Sequence, residues 1–339
     1  MSAPDYEIFE LGNVALDCGL TLRGAKLAYK TYGKLDEARS NVIVYPTSYG
    51  AQHYDIEWLI RPGHALDPEK YFIIIPNMLC NGLSSSPGNT PSPQDRGRFP
   101  LITSADNVRL QHRLLTERFD VRSLRLVYGW SMGGQQAYHW AALFPEMVER
   151  IAVVCGSART APHNKVFLEG IMAALTADPN FQDGWFHAHP VRGLRAMGRI
   201  YAGWALSQTF YRKHLYLDLG FSSLEDFLIA GWEANFLKRD ANNLLAMFRT
   251  WWHGDISANE RYEGDLAAAL GAIQADTLLM PATTDLYFRV EDSEQELAHL
   301  RRGELLPIES DWGHRAGNPQ QSPADDAFID AAVKRLLAR

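Results

Sequence analysis

Short apolar, β-branched runs, each closed by a turn residue, constrain this chain more than any other feature. Lys26–Tyr32 stops at Gly33, Asn41–Tyr45 at Pro46, Tyr71–Ile75 at Pro76, Leu124–Tyr128 at Gly129, and Ile151–Cys155 at Gly156. Apolar runs of this length without alternation suit strands buried on both faces. Helical patterns separate them: within Asn107–Phe119, residues Val108, Leu110, Leu114, Leu115 and Phe119 fall mostly on one stripe. Strands alternating with helices predict an α/β architecture, a mostly parallel sheet with helices on both faces. From Asn164 to Ala272 the pattern changes. Helical periodicity recurs in Val166–Leu175, Val191–Leu206 and Leu224–Leu237, and no strand is expected there. Strand character returns at Thr277–Pro281 and Glu304–Ile308, and a last helix is expected over Ala324–Leu337 after Pro323. The expected organisation is one α/β core (1–163 and 273–339) carrying a helical insertion (164–272).

Composition narrows the partners. Lys and Arg number 33 against 40 Asp and Glu, a net charge of −7, and no basic block stands out, so nucleic acid and anionic membrane are not expected partners. No apolar run approaches the length of a membrane span. The start, Met1-Ser-Ala-Pro-Asp-Tyr-Glu7, has neither a basic nor an apolar segment of a secretory leader. Cys18, Cys80 and Cys155 are odd in number and widely spaced, which reads as reduced thiols in a cytoplasmic enzyme.

The chemistry concentrates at Gly129-Trp130-Ser131-Met132-Gly133-Gly134. This G-x-S-x-G follows an expected strand and precedes a helical run, Gln135–Phe144, the context of a nucleophile elbow. Its glycines permit a tight turn that pushes Ser131 out at the carboxyl edge of the sheet. A serine hydroxyl needs a base, and in this architecture the acid and the histidine follow the serine in that order. Asp285 lies just past the strand Thr277–Pro281, and His314 just past Glu304–Ile308. The expected roles are Ser131 as nucleophile, His314 as general base and acid, and Asp285 as the group that orients the imidazole. Asp311 is the rival acid. It is so near His314 in sequence that reaching the far side of the ring is awkward, which favours Asp285. His299 and His139 lie in helical patterns. His187 and His189 have no further ligand at metal spacing, so neither a metal nor a cofactor is expected. The tetrahedral intermediate needs two backbone N–H donors. Met132 is one. The other comes from Pro46-Thr47-Ser48-Tyr49-Gly50, with Ser48 the first choice and Thr47 the second, since Pro46 has no N–H.

With these residues in view, the chain resembles the homoserine O-acetyltransferase family of α/β-hydrolase-fold enzymes along nearly its whole length. The marks are Leu27-Ala-Tyr-Lys-Thr-Tyr-Gly33, Gly129-Trp-Ser-Met-Gly-Gly-Gln-Gln-Ala-Tyr-His-Trp-Ala141, Phe144-Pro-Glu-Met-Val148, Gly193-Leu-Arg195 and Asp240-Ala-Asn242. The resemblance implies a Ser-Asp-His triad, an acetyl-enzyme formed from acetyl-CoA, a helical cap made by the insertion, and a homodimer paired through the caps. Two departures stand out. The family's aspartate after the catalytic histidine, which binds the homoserine amino group, is here Arg315. Its Tyr-Arg pair in the cap aligns with Ala205 and Leu206. The acyl-enzyme machinery is thus kept and the amino-acid site altered, as in the family's hydrolase-like members. Trp130, Tyr49, Trp204, Leu206 and Arg315 are the expected pocket residues.

Three readings follow. The first is a serine hydrolase of short-chain esters or thioesters. The second is an O-acetyltransferase moving acetyl from acetyl-CoA to homoserine or another alcohol. The third is a non-catalytic binding protein on the same scaffold, disfavoured by the complete Ser-Asp-His set. Fold and triad do not separate the first two, because the acceptor site decides.

Overall fold

The computed structural model describes residues 4–339; Met1, Ser2 and Ala3, where the start was read for a leader, lie outside the described residues. Ten strands follow in chain order: β1 (Glu7–Ala15), β2 (Thr21–Tyr32), β3 (Val42–Val44), β4 (Phe72–Pro76), β5 (Leu126–Trp130), β6 (Arg150–Val154), β7 (Phe181–Gln182), β8 (Trp185–Phe186), β9 (Asp276–Met280) and β10 (Gly303–Leu305). Eight form one sheet in the order β1-β2-β4-β3-β5-β6-β9-β10. From β4 to β10 every pairing is parallel, while β2 joins β4 antiparallel and β1 closes the edge as a hairpin partner of β2.

The apolar runs of β3 to β6 are buried on both faces, and alternate residues feed two separate cores. Val42, Ile74, Val127 and Val153 pack into one cluster. Ile43, Ile73, Tyr128 and Val154 pack into the other. Helices α1 (Ser104–Arg113) and α2 (Met132–Leu143) cover the first face. The second face is covered by the C-terminal helix, Pro323–Leu337, through Ile329 and Val333. Each fully buried aliphatic side chain of this kind stabilises the fold by roughly 1.5–3 kcal/mol.

Between β6 and β9 the chain is mainly helical: α3 (Pro162–Thr176), α4 (Val191–Ala205), α5 (Gln208–Arg212), α6 (Leu224–Asp226), a π-helical turn (Phe227–Glu233), α7 (Ala234–Phe236), α8 (Ala241–Trp252) and α9 (Leu266–Gly271). Helices α10 (Val290–Leu297) and α11 (Pro323–Leu337) belong to the last βα units. Two details depart from expectation. The small β7–β8 hairpin interrupts the helical stretch where no strand was expected, with Phe181 paired to Phe186. Strand β1 and the first half of β2 form an edge hairpin whose polar, bulged pattern hides its strand character. Phe167, Leu168, Leu194 and Trp251 of the insertion share the first core with the sheet. No helix among the described residues is long and apolar enough to cross a membrane.

Candidate active site

Strand β5 delivers Ser131 into a backbone conformation rarely held by a non-glycine residue, φ 59° and ψ −126°. Such a conformation costs on the order of 1–3 kcal/mol and persists only when its surroundings fix it. Both backbone groups of Ser131 are tied: its N–H donates to Val154 O (2.9 Å) and its carbonyl accepts from Gln135 N–H (3.1 Å). The flanking glycines are required by crowding. A Cβ on Gly129 would lie 2.0 Å from Gly133 O, and one on Gly133 would lie 2.8 Å from Pro46 O.

The structure brings Ser131, His314 and Asp285 together across the insertion. His314 Nε2 stands 2.9 Å from Ser131 Oγ, and His314 Nδ1 stands 2.7 Å from Asp285 Oδ2. All three are buried, Asp285 completely. Asp285 Oδ1 accepts from Tyr287 N–H (2.7 Å). That leaves Oδ2 for the imidazole and assigns the Nδ1–H tautomer. The loops carrying acid and histidine are tied through Thr284, whose Oγ1 donates to Ser310 O (2.7 Å) and accepts from Gly313 N–H (3.1 Å). The imidazole is walled by Trp130 (ring centroids 5.1 Å apart) and Tyr287 (4.9 Å), and Trp130 Nε1–H donates to His314 O. Asp311 is elsewhere: its carboxylate pairs with Lys213 at 2.6 Å. Neither His187 nor His189 comes near the triad; both are exposed. His139 is buried on α2, bonded through Nδ1 to Gln135 O, and burial lowers its pKa.

The two loops expected to supply N–H donors also meet here. Thr47 N–H is already spent on Pro76 O (3.3 Å). Among the described residues, no acceptor takes the N–H of Ser48 or Met132. Sequence reasoning missed how this loop is held. Gln136 Nε2 donates to Thr47 O (2.9 Å), Gln111 Nε2 donates to Gln136 Oε1 (2.7 Å), and Trp140 Nε1 donates to Gln111 Oε1 (2.9 Å). The Gln135-Gln136 pair right after the elbow was the available signal.

A chamber of about 510 Å³ opens beside Trp130, the ring stacked on His314. Its wall includes Trp130 and Arg315, the chain neighbours of Ser131 and His314, together with Tyr49, Leu206 and Trp312. Trp204 is not part of that wall. It packs against Phe167 (4.9 Å between centroids) and Tyr287 (6.0 Å), because Trp204 is held in the last turn of α4 whereas Leu206 follows the helix in extended backbone (φ −123°, ψ 151°) and turns to the chamber. The wall also holds Asp55, Lys238 and Arg239, which the sequence did not single out. A second group of titratable side chains, Asp5, His53 and Glu57, is satisfied by a lysine: Lys30 Nζ lies 2.7 Å from both Asp5 and Glu57.

The sequence profile described as alpha/beta hydrolase fold matches residues 50–316. The chain belongs to the α/β-hydrolase family. This α/β-hydrolase is 38% identical to the ethyl acetate hydrolase of Pseudomonas veronii over 91% of its own length and 89% of that protein. It superimposes on the crystal structure of an acetylester hydrolase from Corynebacterium glutamicum with a TM-score of 0.95 and 36% identity, covering 98% of this chain and 96% of that one. Homoserine O-acyltransferases are more distant relatives. That of Bradyrhizobium diazoefficiens, a homoserine O-acetyltransferase, is 32% identical over 94% of this chain and 88% of its own. The resemblance to homoserine O-acetyltransferases is therefore refined to a wider family in which the esterases are nearer. The α/β-hydrolase described here is an enzyme of the esterase and O-acyltransferase kind.

Proposed function

We propose that the protein is a serine esterase that hydrolyses short-chain, acetyl-type esters or thioesters through a covalent acyl-enzyme. The reading rests on the hydrogen-bonded chain from Asp285 through His314 to Ser131. Ser131 Oγ attacks the acyl carbon while His314 Nε2 takes the hydroxyl proton, and the carbonyl π electrons move onto oxygen. Asp285 stabilises the imidazolium without taking its proton. The N–H groups of Met132 and Ser48 receive the oxyanion; losing one such donor costs roughly 3 kcal/mol of transition-state stabilisation. Collapse breaks the ester C–O bond, and His314 protonates the departing oxygen. Water, deprotonated by His314, then releases the acid and restores Ser131. No cofactor enters this scheme.

Residues 164–272 serve as a cap over a core of residues 1–163 and 273–339. The cap carries exposed Leu217, Leu224 and Ile229, which support a homodimer paired through this region. A cytoplasmic enzyme fits the three free cysteines. Transfer of acetyl from acetyl-CoA to an alcohol is the second reading, favoured by the size of the chamber, which leaves room for an acceptor beside the acyl group. Hydrolysis is preferred because the wall positions Leu206 and Arg315 offer no site for an α-ammonium.

The test is incubation with ethyl acetate, p-nitrophenyl acetate and acetyl-CoA, with and without a panel of alcohols, the products followed by mass. Acetate release that alcohols do not divert supports hydrolysis. A serine-directed phosphonate should add one label, on the peptide carrying Ser131. Label elsewhere, or full activity in Ser131→Ala, removes the assignment.

A further inference from the structure

The chamber carries a charge that ester hydrolysis itself does not use. Its wall holds three cationic side chains, Arg315, Lys238 and Arg239, and one carboxylate, Asp55. Asp55 is taken by Arg239 at 3.2 Å. Among the described residues Arg315 forms no ion pair; its side chain reaches only Gln321 Oε1, at 3.5 Å. Lys238, exposed at the rim, likewise has no acidic partner. The whole chain is acidic, at −7, so this cationic surplus is local.

Arg315 is half-buried, and burial lowers its pKa, partly opposed by the charge of Asp55. A guanidinium nevertheless stays protonated in proteins. Holding that charge in a wall shared with Trp130, Leu206 and Trp312 is costly unless a counter-charge arrives. The planar fork matches a carboxylate through two parallel hydrogen bonds. Lys238 is exposed at the rim, so the half-buried guanidinium of Arg315 alone needs a counter-charge inside, and one carboxylate supplies it.

We infer that the chamber takes short esters that themselves carry a carboxylate, held by Arg315, with Lys238 drawing the anion in at the rim. The inference rests on the esterase reading and names the substrate class of that site. The carboxylate can sit on either half of the ester, and matched pairs of substrates separate the two. Monomethyl succinate against methyl isocaproate places it on the acyl half; O-acetylglycolate against isobutyl acetate places it on the alcohol half.

The expected result is a kcat/KM about tenfold or more higher for the charged member of one pair, the scale of a charge-assisted bidentate contact. In Arg315→Gln that ratio should fall to near unity, and Arg315→Lys should restore part of it. A ratio taken within one variant is insensitive to how much of the preparation is folded. Equal or lower rates for the charged members of both pairs, or a preference that survives Arg315→Gln, would overturn the inference. Calorimetry on Ser131→Ala keeps the two readings apart. Saturable binding of monomethyl succinate or O-acetylglycolate, lost when Arg315→Gln is added, supports the anion site even if wild type hydrolyses no ester, a result that would sink the esterase reading alone. Hydrolysis of the neutral esters without such binding sinks the anion site alone.

Discussion

Asp285 Oδ2 lies 2.7 Å from His314 Nδ1, while Asp311, three residues before the histidine, turns outward to Lys213. A carboxylate so close in sequence points away from the ring, and one reached across two strand ends points at it.

This contrast separates the two acids by mutation. Asp285→Asn keeps the shape but favours the wrong imidazole tautomer, and kcat should fall by about 10⁴, as for the corresponding change in serine proteases. Asp311→Asn removes only a partly exposed ion pair with Lys213, and kcat should stay within about twofold, since such pairs contribute roughly 0–1 kcal/mol. Steady-state kinetics on an acetate ester reads both. The reverse order would exchange the two roles.

The buried chain Trp140–Gln111–Gln136–Thr47 anchors the loop that carries Ser48. Gln136→Leu leaves the Thr47 carbonyl and the Gln111 amide without partners, at about 1–3 kcal/mol for each buried group left unmade. If the loop supplies an oxyanion donor, kcat should drop more than KM rises, because the interaction lost is made in the transition state. Equal changes in KM with kcat intact would assign Gln136 to substrate binding instead.

Legibility in the sequence followed burial. Strands β3 to β6 could be read because both faces are covered, so their runs are apolar throughout, β6 after its first residue, Arg150. Ser131, Asp285 and His314 could be read because each stands just past a strand end. The β1 strand was hidden: at the sheet edge its residues alternate weakly and two register shifts break the period. The chamber wall was hidden for another reason. Asp55, Lys238 and Arg239 come from segments that no local spacing relates, and only tertiary packing makes them neighbours. Trp204 shows the converse error. An aromatic residue between helical segments suggests pocket lining, yet Trp204 completes an aromatic core with Phe167 and Tyr287.

Glu296 makes stability depend on pH. Its carboxylate is fully within the protein, accepting from Ala158 N–H (2.6 Å) and Tyr138 O–H (2.8 Å), and burial pushes its pKa up to about 8. A carboxyl whose folded pKa is raised gives stability that is fully present below its unfolded value and is lost as pH rises through the folded one. Between about pH 4.5 and 8 this group alone should reduce the unfolding free energy with a slope of up to roughly 1.4 kcal/mol per pH unit. Glu296→Gln fills the same space without a titrating proton. Its Tm should therefore fall less than that of wild type between pH 6 and pH 8, on the order of a few degrees less. Parallel Tm curves for the two proteins would mean that Glu296 is not protonated in the fold.

L-homoserine should be a poor acyl acceptor. A buried α-ammonium needs a carboxylate opposite it, and leaving it unpaired costs several kcal/mol. The residue after the histidine is Arg315, whose charge repels an ammonium, and Ala205 and Leu206 are buried and apolar. The remaining carboxylate of the chamber, Asp55, is held by Arg239. The strongest objection is a reversed pose, in which Arg315 takes the α-carboxylate of homoserine. That pose turns the ammonium toward Leu206, Trp312 and Trp130, which offer no negative charge. Transfer from acetyl-CoA with homoserine as the varied substrate decides the matter. A kcat/KM of roughly 10⁴ M⁻¹s⁻¹ or more, in the ordinary enzyme range, would show that the acceptor site is intact. Acetate release unchanged by millimolar homoserine is the expected outcome. Arg315→Asp should then shift partition of the acyl-enzyme from water toward homoserine, since it replaces the repelling charge with an attracting one.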